Sequence, residues 1–178
     1  MTTLAFDSTA LSHFARGDRL AELETITADD ECVVPAEVLA ELARGVAEYP
    51  ALGIVSAQTW LSPVELEEFA ELVAFAKYKG ELGGGPDRNN GEAAVLAWVT
   101  MHGGVAIIDE TVATNICDRD GIPVQGSLWL VIQGYIKKVL DRATAEGIVD
   151  DLISTDMWLP VASGAALFAW AYSKGWLP

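Results

Sequence analysis

The chain has 178 residues, 51% of them hydrophobic and 21% charged, a composition that supports a well-buried core and excludes disorder of the whole chain. With 11 basic against 26 acidic residues it carries a formal net charge of −15 and a sequence pI near 4.3. That charge excludes retention of nucleic acid by the overall field, so such a partner needs a local basic patch or bridging cations. Two cysteines, Cys32 and Cys117, are too few for a disulfide scaffold, and together with His13 and His102 they show neither zinc-finger nor H-E-x-x-H spacing. No basic segment followed by an apolar run opens the sequence, so a secretory signal is not expected. The longest charge-free stretch, residues 157–173, is interrupted by Pro160 and Gly164 and falls short of the roughly 20 apolar residues a spanning helix needs. The expectation is a cytoplasmic protein with no membrane partner.

Thr3 to Phe6 (TLAF) is a short apolar run ending at Asp7, after which Ser8 and Thr9 offer helix N-caps ahead of Ala10, Leu11 and Phe14. Cys32 to Val34 is a buried-strand candidate stopped by Pro35, which suits the first turn of a helix from Ala36 to about Glu48. Ser62-Pro63 is read as opening another helix, with Leu66, Phe69, Ala70, Val73 and Ala76 as its core-facing stripe. Gly80 to Asn90 (GELGGGPDRNN) is the clear loop. Beyond it follow a helix over Gly91–Met101, a strand over Val105–Ile108 leading into Asp109, and a helix over Glu110–Asp120. A short strand around Pro123–Gln125 and helices over Ser127–Lys138, Asp141–Ile153 and Gly164–Lys174 complete the series. Alternating strands and helices predict a three-layer α/β/α sandwich with a central, mainly parallel sheet. In such folds ligands collect beyond the carboxyl ends of the strands.

That rule gives the acids meaning. Asp7 and Asp109 each end an apolar strand and should project into one crevice. Glu41 lies four residues from Glu37 on one face of the helix after Pro35, and Glu92 begins the helix after the glycine loop, where the positive helix end favours an anion. Each also has a simpler reading, as a helix cap, a solvated charge or a dipole partner. Carboxylates gathered closely repel and raise one another's pKa unless a cation neutralises them. Oxygen ligands without His or Cys suit Mg²⁺ or Mn²⁺.

The stretches LAFDSTALSHFARGD, VVPAEVLAELARG, GEAAVLAWVTMHGG and VAIIDETVATNICDRDGIPVQGSLWLVIQGYIKK, in this order, resemble the PIN-domain family of metal-dependent ribonucleases, which includes VapC-type toxins. The resemblance covers most of residues 3 to 138 and implies metal-binding, catalytic acids at Asp7, Glu41, Glu92 and Asp109. It prefers Glu41 to Glu37, because Glu41 fills the E of the E-L-x-x-G pattern. Three positions depart from the family pattern: Ala94 stands at the second Glu of G-E-x-E-A, Ala113 and Thr114 stand where an Arg is common, and Glu110 and Thr111 follow the last acid. The resemblance implies hydrolysis of RNA to a 5′-phosphate and a 3′-hydroxyl, with an antitoxin protein as partner. Ser8 or Thr9 could also bond a ligating carboxylate or a metal water.

RNA must also be held. Arg16, Arg44, Arg88 and Arg119 each lie within about ten residues of an expected metal acid, Arg44 three positions beyond Glu41 on its helix; Arg44 and Arg88 are the expected phosphate contacts. Residues 1–156 are read as the nuclease domain. Residues 157–178 are read as an aromatic-rich helical segment that packs on it or forms an interface with a second copy or another protein, since Trp158, Phe168, Trp170, Tyr172 and Trp176 all fall there. Two other readings remain open: a PIN-fold interaction module with weak or lost catalysis, and an aspartyl-phosphate phosphatase with Asp7 as nucleophile. For the phosphatase, Thr9 stands where a second Asp is usual and no suitably placed Lys is found.

Overall fold

The computed structural model describes residues 1–177. Five short strands form one all-parallel sheet: β1 (Thr3–Phe6), β2 (Glu31–Pro35), β3 (Leu61–Val64), β4 (Val105–Ile107) and β5 (Val124–Gln125), in the spatial order β3-β2-β1-β4-β5. Helices cover it in a three-layer α/β/α arrangement. They are α1 (Ser8–Arg16), α2 (Leu20–Ile26), α3 (Ala36–Gly45), α4 (Phe69–Leu82), α5 (Asn90–His102), α6 (Thr111–Asp120), α7 (Ser127–Ile136), α8 (Arg142–Ser154) and α9 (Leu167–Ser173). The inner strands are buried beyond their first residues, as a sheet covered on both faces requires: Leu4, Ala5 and Phe6 of β1 and Ala106 and Ile107 of β4 are inaccessible or nearly so. Successive strands step outward from β1 to β2 to β3, and the chain then returns to place β4 on the other side of β1. The order therefore reverses between β1 and β4, and the crevice at their carboxyl ends is where such sheets bind ligands.

Several sequence expectations need correction. Ser62 and Pro63 do not open a helix. They belong to edge strand β3, where Cys32 pairs with Leu61 and Val34 with Pro63; an outer strand tolerates a proline, which has no N–H to give to the ladder. The following helix starts only at Phe69, capped reciprocally by Glu68 and Glu71. Its expected core stripe faces outward instead, with Phe69 81% and Val73 53% exposed; Glu71 and Tyr78 are the buried residues. Helix α3 stops at Gly45, and Pro50–Ala57 forms a 3₁₀ turn that the sequence pattern does not resolve, nor does it resolve α2. The glycine loop is shorter than expected, because α4 continues to Leu82. The cap of α1 is Asp7 itself, not Ser8 or Thr9. In the C-terminal segment Gly164–Ala166 is 3₁₀, and α9 buries Leu167, Phe168 and Ala171 while Tyr172 stays exposed. No helix among the described residues is long and apolar enough to cross a membrane.

Candidate metal centre

Three of the four expected acids meet. Oxygen atoms of Asp7, Glu41 and Glu92 all lie within 4.8 Å of one another. Asp7 reaches the site because β1 ends at Phe6 and the chain turns at once into α1. Its backbone N–H donates to the Ile107 carbonyl (3.1 Å), and its carboxylate oxygen Oδ2 accepts from the Thr9 N–H (3.1 Å). Glu41 comes from the middle of α3, where the Ser8 hydroxyl donates to Oε2 (2.8 Å) and the Gly91 N–H to Oε1 (2.9 Å). Ser8 thus bonds a cluster carboxylate, one of the two roles the sequence offers for it. Glu92 stands in the first turn of α5, favoured there by the unpaired N–H groups of the helix start.

Gly91 is what lets α5 approach. A Cβ there would sit 2.7 Å from Glu41 Oε2, closer than real Cβ atoms come, and 3.1 Å from Asp7 Oδ1, tighter than most such contacts, so a side chain at this position would displace the Glu41 carboxylate. In the sequence Gly91 reads only as the start of a helix. A glycine just before the Glu, following a polar loop, is the available signal for close approach of the backbone.

The electrostatics are those of a cation site. Asp7 is fully buried, and burial first, then the charges of Glu92 and Glu41, push its carboxyl up to about 7 against the opposing hydrogen bonds from Thr9 and Ser8. Partial burial, followed by Glu41 and Glu110, also raises Glu92. Among the described residues no Lys or Arg forms an ion pair with any of the three. Three close carboxylates with no cation partner and no nitrogen or sulfur ligand fit a hard divalent ion. Oxygens bound to one Mg²⁺ at about 2.1 Å stand roughly 3 to 4 Å apart.

Asp109 is not in this group. Its Oδ1 accepts from the Ser127 N–H (2.8 Å) and its Oδ2 from the Ser127 hydroxyl (2.7 Å), tying the end of β4 to the start of α7. A Cβ on Gly126 would lie 2.6 Å from Asp109 Oδ1, so this glycine is also a condition of the contact. Burial raises the Asp109 carboxyl, and the two Ser127 bonds oppose it. Ser127 and Glu110 are neighbours that sequence reasoning does not assign. Glu110 caps α6 by accepting from the Ala113 N–H (2.8 Å), and its charge is felt at Glu92. Glu37 lies outside the converging set, with Oε2 buried and unbonded.

The arginines divide. Arg119 is engaged by Glu81 and Asp120, and Arg16 lies over the Tyr49 ring at 3.9 Å. Arg44, in the last turn of α3, and Arg88, in the loop before α5, are both exposed and appear in no ion pair among the described residues.

Comparison with curated proteins and with solved structures found no match. A family model described as a PIN domain matches residues 3–167, a span holding every strand of the sheet and all three converging carboxylates. That match covers most of the chain, and the chain belongs to the PIN-domain family.

Proposed function

We propose that the protein is a Mg²⁺- or Mn²⁺-dependent endoribonuclease, acting as the toxin of a toxin–antitoxin pair. The observation that supports this reading is the cluster of Asp7, Glu41 and Glu92 at the point where the strand order reverses, in a chain whose family fold is a nuclease fold. These three residues would hold the ion. When bound, a divalent cation supplies neutralisation of the phosphodiester charge and activation of the attacking water. Water adds to phosphorus as the P–O3′ bond breaks, leaving a 5′-phosphate and a 3′-hydroxyl. The chain's own work is positional. Thr9 fixes Asp7, Ser8 and Gly91 fix both oxygens of Glu41, and the buried wall behind Asp7 excludes water from its far side. Asp109 is the candidate fourth acid from the neighbouring strand end, held by Ser127. Arg44 and Arg88 are the candidate phosphate contacts.

A second reading, a PIN-fold module that binds without cutting, draws on Asp109, whose two oxygens are already engaged by Ser127. One experiment separates the two. Purified protein is incubated with single-stranded and structured RNA, with Mg²⁺ or Mn²⁺ and then with EDTA, beside Asp7→Asn. The ribonuclease reading expects cleavage only with the metal and none by the variant. It also expects the metal to raise wild-type stability by about 2.7 kcal/mol at a hundred times its Kd, a gain that Asp7→Asn lacks. Cleavage that persists in EDTA sinks the metal mechanism; metal-induced stabilisation without cleavage favours the binding module.

A further inference from the structure

The C-terminal segment closes a second feature beside the carboxylates. Four of the chain's six tryptophans, Trp129, Trp158, Trp170 and Trp176, line one open cleft of about 670 Å³ together with Lys174 and Asp109. The volume is in the range of small-molecule sites. Trp170 and Trp176 meet edge to face at 4.8 Å and 86°, so this wall is preformed. The Lys174 ammonium stands 5.6 Å from the Trp170 ring. Trp158 is 77% exposed, an indole held in water where a core role would bury it. The cleft is not isolated. Asp109 and Trp158 also line a smaller depression that includes Thr9, and Thr9 in turn lines the depression holding Ser8 and Glu41. Shared lining residues, Asp109 and Trp158 and then Thr9, thus set the tryptophan cleft next to the depression that Glu41 lines.

Charge makes this cleft informative. The chain carries −15 overall. Of its 11 basic residues, Arg19, Lys77, Arg119, Lys137 and Arg142 are already held in ion pairs. A polyanion therefore finds few free cations here. Single strands can instead be gripped through the faces of their bases, which stack on aromatic side chains whatever the sequence. We propose that this tryptophan cleft is a nucleobase-stacking subsite for unpaired bases of single-stranded RNA flanking the phosphodiester at Asp7, Glu41 and Glu92. The proposal rests on the ribonuclease reading for what lies at the carboxylates. The occupant is single-stranded because paired bases cannot turn their faces to the indoles; among the lining residues Lys174 is the only Lys or Arg, beside Asp109 and Asp118, so base faces and not phosphates are what the cleft can hold.

The test uses the full chain in EDTA, so that cleavage does not confuse affinity, and three probes: an oligoadenylate RNA decamer, the same decamer with abasic sugars, and an adenylate–uridylate RNA duplex. Tryptophan fluorescence and the anisotropy of labelled probe report binding. The decamer should quench the fluorescence and bind, while the abasic strand and the duplex bind markedly less. Trp158→Ala should weaken decamer binding ~5- to 140-fold, and Trp158→Phe should restore most of it. The exposure of Trp158 leaves the fold to be verified by an unchanged melting curve. Equal affinity for the abasic strand, an unaffected Trp158→Ala, or the absence of decamer binding overturns the proposal. So does a Trp158→Ala change seen only in sedimentation, which would make the cleft a contact between copies or with a protein partner. Failure of the ribonuclease reading looks different: base-dependent quenching with no metal-dependent cleavage by the wild type.

Discussion

β1 and β4 lie side by side and parallel, and each delivers an aspartate just beyond its last residues. Yet the two carboxylates have different fates. Asp7 caps the helix that follows its own strand, and this leaves it turned to Glu41 and Glu92. Asp109 is captured by a helix start further along the chain, at Ser127. The difference lies in which N-terminus takes the carboxylate. A strand-end acid reaches the common crevice only so far as nearby N–H groups leave it free. Asp7 commits Oδ2 to one backbone N–H, with Ser8 Oγ 3.4 Å from Oδ1, whereas Asp109 commits both oxygens to one serine.

The sharpest way to test this contrast is pH. In the unfolded chain Asp7 ionises near its ordinary value of 3.8, and in the folded protein it keeps its proton up to about 7. Between these limits the folded state binds more protons, so metal-free stability should fall as pH rises from about 4 to about 7 and level off above. The drop should be on the order of 4 kcal/mol, with Glu92 adding in the same direction. Asp7→Asn should flatten the profile and, in EDTA, exceed the wild type in stability above pH 7. Because the cation binds the ionised form, its affinity should rise over the same interval. Chemical denaturation across pH, with and without Mn²⁺, measures both. A wild-type profile that climbs with pH would mean that Asp7 is already paired with a positive charge.

The second test takes the other strand end. Ser127→Ala should cost about 1 to 3 kcal/mol of stability, from removing one bond to a buried carboxylate, while leaving the Mn²⁺-induced stabilisation intact. Asp109→Asn should keep more than half of that stabilisation, unlike Asp7→Asn. Thermal unfolding with and without Mn²⁺ decides it. If Asp109→Asn loses the metal effect as completely as Asp7→Asn, then Asp109 exchanges Ser127 for the ion and the two strand ends are equivalent after all.

What the sequence made legible follows from periods and stops. TLAF before Asp7 and VAII before Asp109 read as buried parallel strands because nothing polar interrupts them, the second ending one residue early at Ile107, and Pro35 marks the junction of β2 and α3 because proline suits a first helical turn. The assignment of Glu41, Glu92 and Asp7 to one place follows from topology together with the family pattern. What stayed hidden depends on contacts distant in sequence. The bond from Ser127 to Asp109 spans 18 residues, and that from Gly91 to Glu41 spans 50, and no local period encodes either. The Ser62-Pro63 misreading has a different cause, since one missing N–H suits a helix start and an edge strand alike. The outward stripe of α4 has yet another. Helical spacing fixes which residues share a face but not which way it points, and the buried Glu71, bonded to His102 and the α4 cap, faces inward.

The smallest expected effect concerns the two free arginines. Neither Arg44 nor Arg88 is tied to an acid among the described residues, and both are exposed in a strongly acidic chain, so each can offer one phosphate contact and little more. Replacing either with Ala should weaken binding of single-stranded RNA slightly and reduce the slope of log affinity against log salt by roughly 0.7 for each phosphate no longer neutralised. The total slope should itself be shallow, since base stacking and the bridging cation do not release counterions as lysines and arginines do. The measurement is binding to Asp109→Asn protein, which keeps most of the metal effect and, lacking the candidate fourth acid, is expected not to cut, over a salt series at constant Mn²⁺, because monovalent ions also compete at the carboxylates. Arg44 and Arg88 also belong to different elements, α3 and the loop before α5. A reduced slope in one variant alone would therefore show on which side of the carboxylates the strand runs. A steep slope that survives both substitutions would place the basic contact elsewhere, on Arg16, Lys138 or Lys174, since Arg19, Lys77, Arg119, Lys137 and Arg142 are ion-paired and Lys79 is held by the carbonyls of Gly85 and Arg88.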